Sequence, residues 1–450
     1  MARQLFGTDG IRGVAGEFPL DARTAWAFGA ALGEWARRQQ PDAGGHSPEI
    51  VIGMDTRESG PWLAECVAGG LARQGVRARF AGLITTPGVA WLTKNEEFVA
   101  GVMISASHNQ YRDNGLKAFA HTGYKLPDAD EHSIEDRIFA LLDSGENHER
   151  MPLSVDEGLD LDYSGYLAST MSGSLGGLKL VVDCANGAAA HLAPDLFRRL
   201  GAAVTLIHAA PNGRNINLDC GALYLDSLRS EVLARGAQAG AAFDGDADRA
   251  MFISHSGKLI DGDHVLLVAA RALQAAGRLA KQLVVATVMS NLGFERALRS
   301  SGIGLTRTSV GDRYVLEEML RSGAVLGGEQ SGHVIFLEQA TTGDGMLTAI
   351  RVLEIMAASG KSLDELTAGF EVYPQRLVNI RVRERRPLEE LAAVRERITD
   401  AERDFGEAGR VLVRFSGTEP LARVMVEGPD LTRVERQAAR IADAIRAELG

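Results

Sequence analysis

The chain lacks several things that would have placed it quickly. No window of about 18 residues is free of charge, so no stretch reads as a membrane-spanning helix. The opening MARQLFGTDGIRG has charges but no apolar core of the kind a signal peptide needs, which predicts a cytoplasmic protein. Cysteine is scarce: Cys66, Cys184 and Cys220 are odd in number and form no CxxC pair, so they are expected as reduced thiols in or near the core. Basic runs are missing too. With 48 Lys and Arg against 59 Asp and Glu, a net charge of −11 argues against a nucleic-acid partner and leaves anion binding to individual arginines. There is no GxGxxG, and the single GKS at 360–362 has Ile355 where a phosphate-binding P-loop needs its first glycine. Without HExxH or GxSxG, zinc proteolysis and hydrolase-fold ester chemistry also fall away.

What remains is an ordinary globular composition, 45% apolar and 24% charged, in 450 residues, a length that predicts two to four domains. Apolar runs of four to seven residues alternate with helix-period stretches, the α/β signature. EIVIGMD at 49–55 and FVAGVMIS at 98–105 read as buried strands, with an amphipathic stretch at 61–75 between them. The layout restarts after a Ser/Gly-rich link near 170–177: LKLVVDCANG reads as one strand ending in a turn and AAFDGDADRAMFIS as another. A third cycle runs through QLVVATVMSN, GLTRTSVGDRYVLEEML and AVLGGEQSGHVIF. The last part differs, with strands RLVNIRV, RVLVRFSG and ARVMVEG flanked by charged helices at 387–403 and 429–448. Three α/β units and a smaller α+β unit are therefore expected.

FDGDADR, residues 243–249, is the sharpest chemical signal. Asp244, Asp246 and Asp248 bring about three negative charges into one turn, which is costly unless a cation sits among them. A calcium loop would need glycine sixth and glutamate twelfth, where Arg249 and His255 stand; a DxDxT phosphatase loop would need threonine where Asp248 stands. Oxygen ligands alone favour magnesium, and a solvated acidic turn is the plain alternative. In ISASHN a phosphate carried on Ser107 would complete the coordination of such an ion, whereas a helix-capping serine would need no ion at all. Neighbouring side chains of an extended segment point apart, so His108 is not expected to activate Ser107. RFSGTEP at 414–420 offers Arg414, Ser416, Gly417 and Thr418, with Arg423 beyond, as a phosphate cradle; a polar turn with one arginine is its plain reading. GGEQSGH at 327–333 carries Glu329 and Ser331 for sugar hydroxyls and His333 for a proton, or is simply a hairpin turn. FGTDGIRG bears Arg12, an anion contact or part of a loop that only packs.

In their order and spacing, FGTDGIRG, ISASHN with DNGLK, DGDADR, TSVGDRYV, GGEQSGH and RFSGTEP resemble the α-D-phosphohexomutase superfamily along nearly the whole chain. The resemblance implies a four-domain enzyme: three similar α/β domains, at 1–157, 158–258 and 259–372, and a smaller C-terminal α+β domain at 373–450, around a central cleft. It implies Ser107 as phosphoserine, and Mg2+ held by Asp244, Asp246, Asp248 and a phosphoserine oxygen. It further implies Arg12, Lys117 and Arg249 around the transferring phosphate, with Lys117 and His333 as acid/base candidates. Glu329 and Ser331 then meet the sugar hydroxyls, while Arg414, Ser416, Gly417, Thr418 and Arg423 clamp the other phosphate. GGEQSGH, with Gln330, and SVGDRYV point to glucosamine 6-phosphate and glucosamine 1-phosphate as the interconverted pair, feeding amino-sugar nucleotide and cell-wall precursor synthesis. Glucosamine 1,6-bisphosphate or glucose 1,6-bisphosphate is the implied activator, and a homodimer is compatible with the sequence. Three residues depart from the family pattern: Phe415 and Gln110 stand where proline is common, and Ala247 where glycine is frequent. A metal-dependent phosphatase and a non-catalytic sugar-phosphate sensor are the rivals, and the presence of Ser107 counts against the second.

Overall fold

The computed structural model describes residues 5–7, 9–40, 47–145, 147–415 and 420–450. These fall into two compact units, one of residues 1–288 and 306–368, the other of 289–305 and 369–450. Among the described residues no helix is long and apolar enough to cross a membrane.

The first unit holds three sheets built on one plan. The first sheet comprises β1 (Phe6–Gly7), β2 (Gly10–Val14), β3 (Glu49–Met54), β4 (Arg77–Leu83), β5 (Ala100–Ile104) and β6 (Asp113–Ala120), in the order β1-β2-β6-β5-β3-β4. Strands β4, β3 and β5 run parallel; β6 pairs antiparallel to β5, and β2 antiparallel to β6. Every residue of β5 is buried, as its unbroken apolar run predicts for a strand covered on both faces. Gly101 within it admits no side chain, since a Cβ would lie 2.0 Å from Thr93 Oγ1. The helix Ala22–Gln39 is capped by Asp21, whose carboxylate accepts from the amides of Arg23 and Thr24, and it packs Trp26, Phe28, Leu32 and Trp35 into this domain's core.

The second sheet takes β7 (Lys179–Asp183), β8 (Ala203–Ile207), β9 (Ala239–Phe243), β10 (Ala250–Ser254) and β11 (Leu259–Ile260) in the order β11-β10-β9-β7-β8. Here one expectation is corrected. AAFDGDADRAMFIS is not one strand but two, because β9 and β10 pair antiparallel and the acidic stretch is their connection. A backbone at positive φ at Ala247 turns the chain there. The third sheet has β12 (Leu283–Thr287), β13 (Gly304–Thr308), β14 (Leu326–Gly328) and β15 (Val334–Phe336), ordered β13-β12-β14-β15. In all three sheets a central parallel strand hands over to an antiparallel neighbour: β5 to β6, β9 to β10, β14 to β15. Ser107, the three aspartates and the GGEQSGH loop each occupy that one connection. Open α/β sheets place their ligands outside the carboxyl ends of the parallel strands.

In the second unit β16 (Gln375–Arg381), β17 (Arg410–Phe415) and β18 (Leu421–Glu427) form an antiparallel sheet in the order β16-β18-β17, covered by the helices Ala392–Phe405 and Leu431–Leu449. Gly360 of the GKS tripeptide is the left-handed C-cap of the helix Gly345–Ser359, which explains the motif without a nucleotide. All three cysteines are free and buried.

Candidate active site

Ser107 follows β5 with φ at +51°, in the left-handed region that non-glycine residues rarely visit, and is 1% exposed. Its Oγ donates to Asp244 Oδ2 at 2.5 Å. Because the backbone here is not extended, the side chains of Ser107 and His108 do not point apart as expected: His108 Nδ1 lies 3.2 Å from Ser107 Oγ. Burial, reinforced by the positive charges of Arg249 and Arg12, holds the His108 imidazole down at about 4, so it is neutral at physiological pH.

The three aspartates of the β9–β10 connection are buried, with carboxylate oxygens within 4.8 Å of one another. Burial and then the charges of Asp248 and Asp246 push Asp244 well above the usual carboxylate range; burial and Asp246 also push Asp248 up. Burial would raise Asp246 as well, but the Lys117 ammonium and a hydrogen bond from Thr86 outweigh it and hold it low. Asp246 Oδ1 and Asp248 Oδ1 are buried without a hydrogen-bond partner. Converging, buried, all-oxygen donors with spare lone pairs fit a divalent cation of the Mg2+ type.

Cations ring this cluster. Lys117 Nζ, 2% exposed, lies 2.8 Å from Asp246 Oδ2 and 3.0 Å from Asp9 Oδ2. Burial alone would depress its pKa, yet Asp246 and Asp9 more than offset that and keep the ammonium charged. Asp9 also pairs with Arg12 at 2.5 Å and with Lys125 at 2.6 Å, and Lys125 reaches Asp312 at 2.6 Å. Arg249 donates its backbone amide to Asp244 Oδ1 at 3.2 Å, and its Nε stands 3.8 Å from Asp248 Oδ1. Neither Arg12 Nε nor Arg249 Nε has a hydrogen-bond partner, although both are buried.

The GGEQSGH stretch is a hairpin connection between β14 and β15, and it also faces the cluster: the amide of Ala250, next to Arg249, donates to the Gly332 carbonyl at 3.0 Å. Glu329 Oε1 accepts from the amide of Gly311 at 3.1 Å, in the loop that leads to Asp312. Ser331 Oγ is buried without a partner. His333 is 3% exposed; its Nε2 accepts from the Gly343 amide at 3.2 Å, leaving the ring proton on Nδ1, which has no hydrogen-bond partner. Asp312 Oδ2 stands 3.9 Å from His333 Nε2.

The phosphate-cradle residues belong to the other unit. Ser416, Gly417 and Thr418 lie outside the described residues. Arg414 and Arg423 are direct cross-strand partners on β17 and β18, two like charges face to face, an arrangement that destabilises a sheet unless an anion lies between. Phe415 pairs with Ala422 and packs on the unit's core, so the strand continues through this position. Sequence reasoning did not single out Asp9, Thr86, Lys125 or Asp312, nor Arg57 and Asn217, which hold the Ser107 loop.

Four family profiles cover the chain in order: the phosphoglucomutase/phosphomannomutase α/β/α domain I over residues 3–143, domain II over 163–257, domain III over 261–373 and the C-terminal domain over 377–444. A phosphoglucosamine mutase of Solibacter usitatus is 60% identical over 452 residues, covering all of both chains. The chain belongs to the phosphoglucosamine mutases of the phosphohexomutase superfamily. It is thus an isomerase that works by phosphoryl transfer, with the four-domain α/β architecture of that superfamily. Among solved structures, a phosphoglucomutase/phosphomannomutase family protein of Burkholderia thailandensis superposes with a TM-score of 0.80 at 25% identity, covering 98% of this chain and 97% of that one. An Aspergillus fumigatus N-acetylphosphoglucosamine mutase, solved with GlcNAc-6P and magnesium, shares the fold at a TM-score of 0.62 and 20% identity, covering 92% and 85%.

Proposed function

We propose that this chain interconverts glucosamine 6-phosphate and glucosamine 1-phosphate, with Ser107 as the carrier of the phosphoryl group and a sugar 1,6-bisphosphate as the intermediate. The observation that carries the assignment to these residues is the convergence of buried polar atoms without hydrogen bonds beside the Ser107–Asp244 contact: Asp246 Oδ1, Asp248 Oδ1, Arg12 Nε, Arg249 Nε, Ser331 Oγ and His333 Nδ1. Native proteins leave few buried polar atoms unpaired, and a phosphorylated sugar with its cation would satisfy this set together.

Asp244, Asp246 and Asp248 would hold Mg2+, as would an oxygen of phosphorylated Ser107; when bound, the ion supplies positive charge to the transferring phosphate. Arg12 and Arg249 stabilise the equatorial oxygens of the group in flight, where positioning and charge do most of the catalytic work. Lys117, held charged between Asp246 and Asp9, acts as a cation and proton donor at the sugar hydroxyl that takes or loses the phosphate. His333 offers its Nδ1 proton. Glu329 and Ser331 recognise sugar hydroxyls. In the C-terminal unit Arg414 and Arg423, with Ser416, Gly417 and Thr418, take the phosphate that is not transferring. The Aspergillus fumigatus complex with GlcNAc-6P and magnesium supports both the substrate class and the ion. The domain limits 1–157, 158–258, 259–372 and 373–450, a cytoplasmic location and a homodimer complete the reading, although β11 (Leu259–Ile260) pairs into the second sheet just beyond the limit at 258.

The deciding experiment is a coupled assay on glucosamine 6-phosphate with Mg2+ and a trace of sugar bisphosphate, beside glucose and mannose phosphates, with intact mass recorded before and after. Fast glucosamine 1-phosphate formation with one phosphate's mass on Ser107 is expected. Turnover confined to the neutral sugars, or steady orthophosphate release without isomer, would overturn it.

A further inference from the structure

Ser107 is gripped by its backbone, and the grip uses side chains that the proposed chemistry does not. Its amide donates to Ser105 Oγ at 2.9 Å, and Ser105 in turn donates to Asp55 Oδ2 at 2.7 Å. Its carbonyl accepts from Arg57 Nη2 at 2.9 Å and from Asn217 Nδ2 at 2.8 Å. The same two nitrogens reach the carbonyl of Asn109, at 2.9 and 3.0 Å. Arg57 is 1% exposed, pairs with Asp55 through Nε at 2.9 Å, and spends Nη1 on the carbonyls of Gln110 and, at 2.9 Å, Asp113. One buried guanidinium thus holds four carbonyls of a single loop. Asn217 comes from a different domain, from the connection after β8, and is itself at φ +56°, fixed by its own amide on the Ala185 carbonyl at 2.9 Å.

We infer that Arg57 and Asn217 are positioning residues of the phosphoryl transfer: they hold Ser107 in its left-handed conformation so that Oγ stays on the acidic cluster. The inference rests on Ser107 being the phosphoryl carrier. The left-handed backbone is intrinsically unfavourable for serine and persists only where its surroundings impose it. Here they do so from both peptide groups. The fit has no slack, because a Cβ on Gly245 of the acidic loop would lie 2.5 Å from the Ser107 carbonyl oxygen and 2.8 Å from Asn217 Nδ2. Arg57 also holds the Gln110 carbonyl, so the guanidinium stiffens the loop beyond Ser107. A buried arginine aimed at carbonyls restrains a chain; it does not contact substrate.

Two variants test this. Asn217→Gly keeps the left-handed backbone and removes both donors. Asn217→Asp keeps the size and the tolerance for positive φ but turns acceptor oxygens toward two carbonyls. The measurements are steady-state kinetics on glucosamine 6-phosphate, thermal unfolding, and the single-turnover rate at which glucose 1,6-bisphosphate adds a phosphate's mass to the unphosphorylated enzyme. In Asn217→Gly, kcat and the single-turnover rate are expected to fall together by roughly 30-fold, since displacements near 1 Å cost on the order of 100-fold. KM stays within about twofold and the melting temperature within a few degrees, and Asn217→Asp falls further. Unchanged kcat in both variants, or a loss that merely tracks the folded fraction, would overturn the positioning role while leaving the mutase reading intact. A parent enzyme that neither isomerises glucosamine 6-phosphate nor takes phosphate on Ser107 would overturn both.

Discussion

At the scale of single residues the chemistry rests on what burial does to charge. Ser107→Ala is expected to abolish turnover while sugar-phosphate binding, read by calorimetry, survives. Gly245→Ala tests the close approach beside it: the added methyl collides with the Ser107 carbonyl, and an activity loss of at least about tenfold is expected in the steady-state assay. The acidic cluster gives a pH signature. Asp244 and Asp248 have folded-state pKa values raised by burial and by their neighbours, so their contribution to stability is present at low pH and lost as pH rises through those values. Without metal, ionising them costs stability; with Mg2+, the ionised form is the ligand and binding releases protons. The Mg2+-induced rise in melting temperature should therefore grow as pH rises. A shift independent of pH would remove the aspartates from the metal site. Much at this scale was legible in sequence, because three aspartates in seven residues and a serine at a strand end need no fold to be noticed. Arg57 and Asn217 were not, for their roles depend on contacts across 50 and 110 positions. The one available signal was Asp55 and Arg57 at the end of the buried strand EIVIGMD, two charges where a core strand stops.

At the scale of elements, buried strands and capped helices matched their sequence patterns to within a few residues: 49–55 against Glu49–Met54, 61–75 against Gly60–Arg73, 429–448 against Leu431–Leu449. The miss at AAFDGDADRAMFIS has a clear cause. The turn was legible, but Ala247 adopts a left-handed conformation more usual for glycine, so nothing in the letters marked a tight hairpin that pairs a second strand with the first. The β17–β18 pair supplies its own test. Because Arg414 and Arg423 face each other in register, Arg423→Met relieves a like-charge contact while removing an anion ligand. Melting temperature should hold or rise slightly, whereas KM for glucosamine 6-phosphate rises about tenfold or more, as the loss of a charge-assisted hydrogen bond implies. An unchanged KM would take this strand pair out of substrate binding.

At the scale of the molecule, the first unit is three copies of one layout, each giving its central connection a separate task. Lys125 ties the first to the third through Asp9 and Asp312: burial would raise both carboxylates, but Asp9 is held low by Lys117 first and then by Lys125 and Arg12, and Asp312 by Lys125. Lys125→Met would take from Asp312 its ammonium partner, whereas Asp9 keeps Lys117 and Arg12. A loss of roughly 3 kcal/mol in denaturant unfolding is expected, and a change below about 1 kcal/mol would show the link to be incidental.

A serine whose two flanking peptide groups are pinned cannot follow its cargo. If Ser107 carries the phosphoryl group as proposed, motion in this reaction would fall to the sugar, which would present first one oxygen and then the other at a fixed address. On that reading a defect at either end of the sugar would stop traffic in both directions.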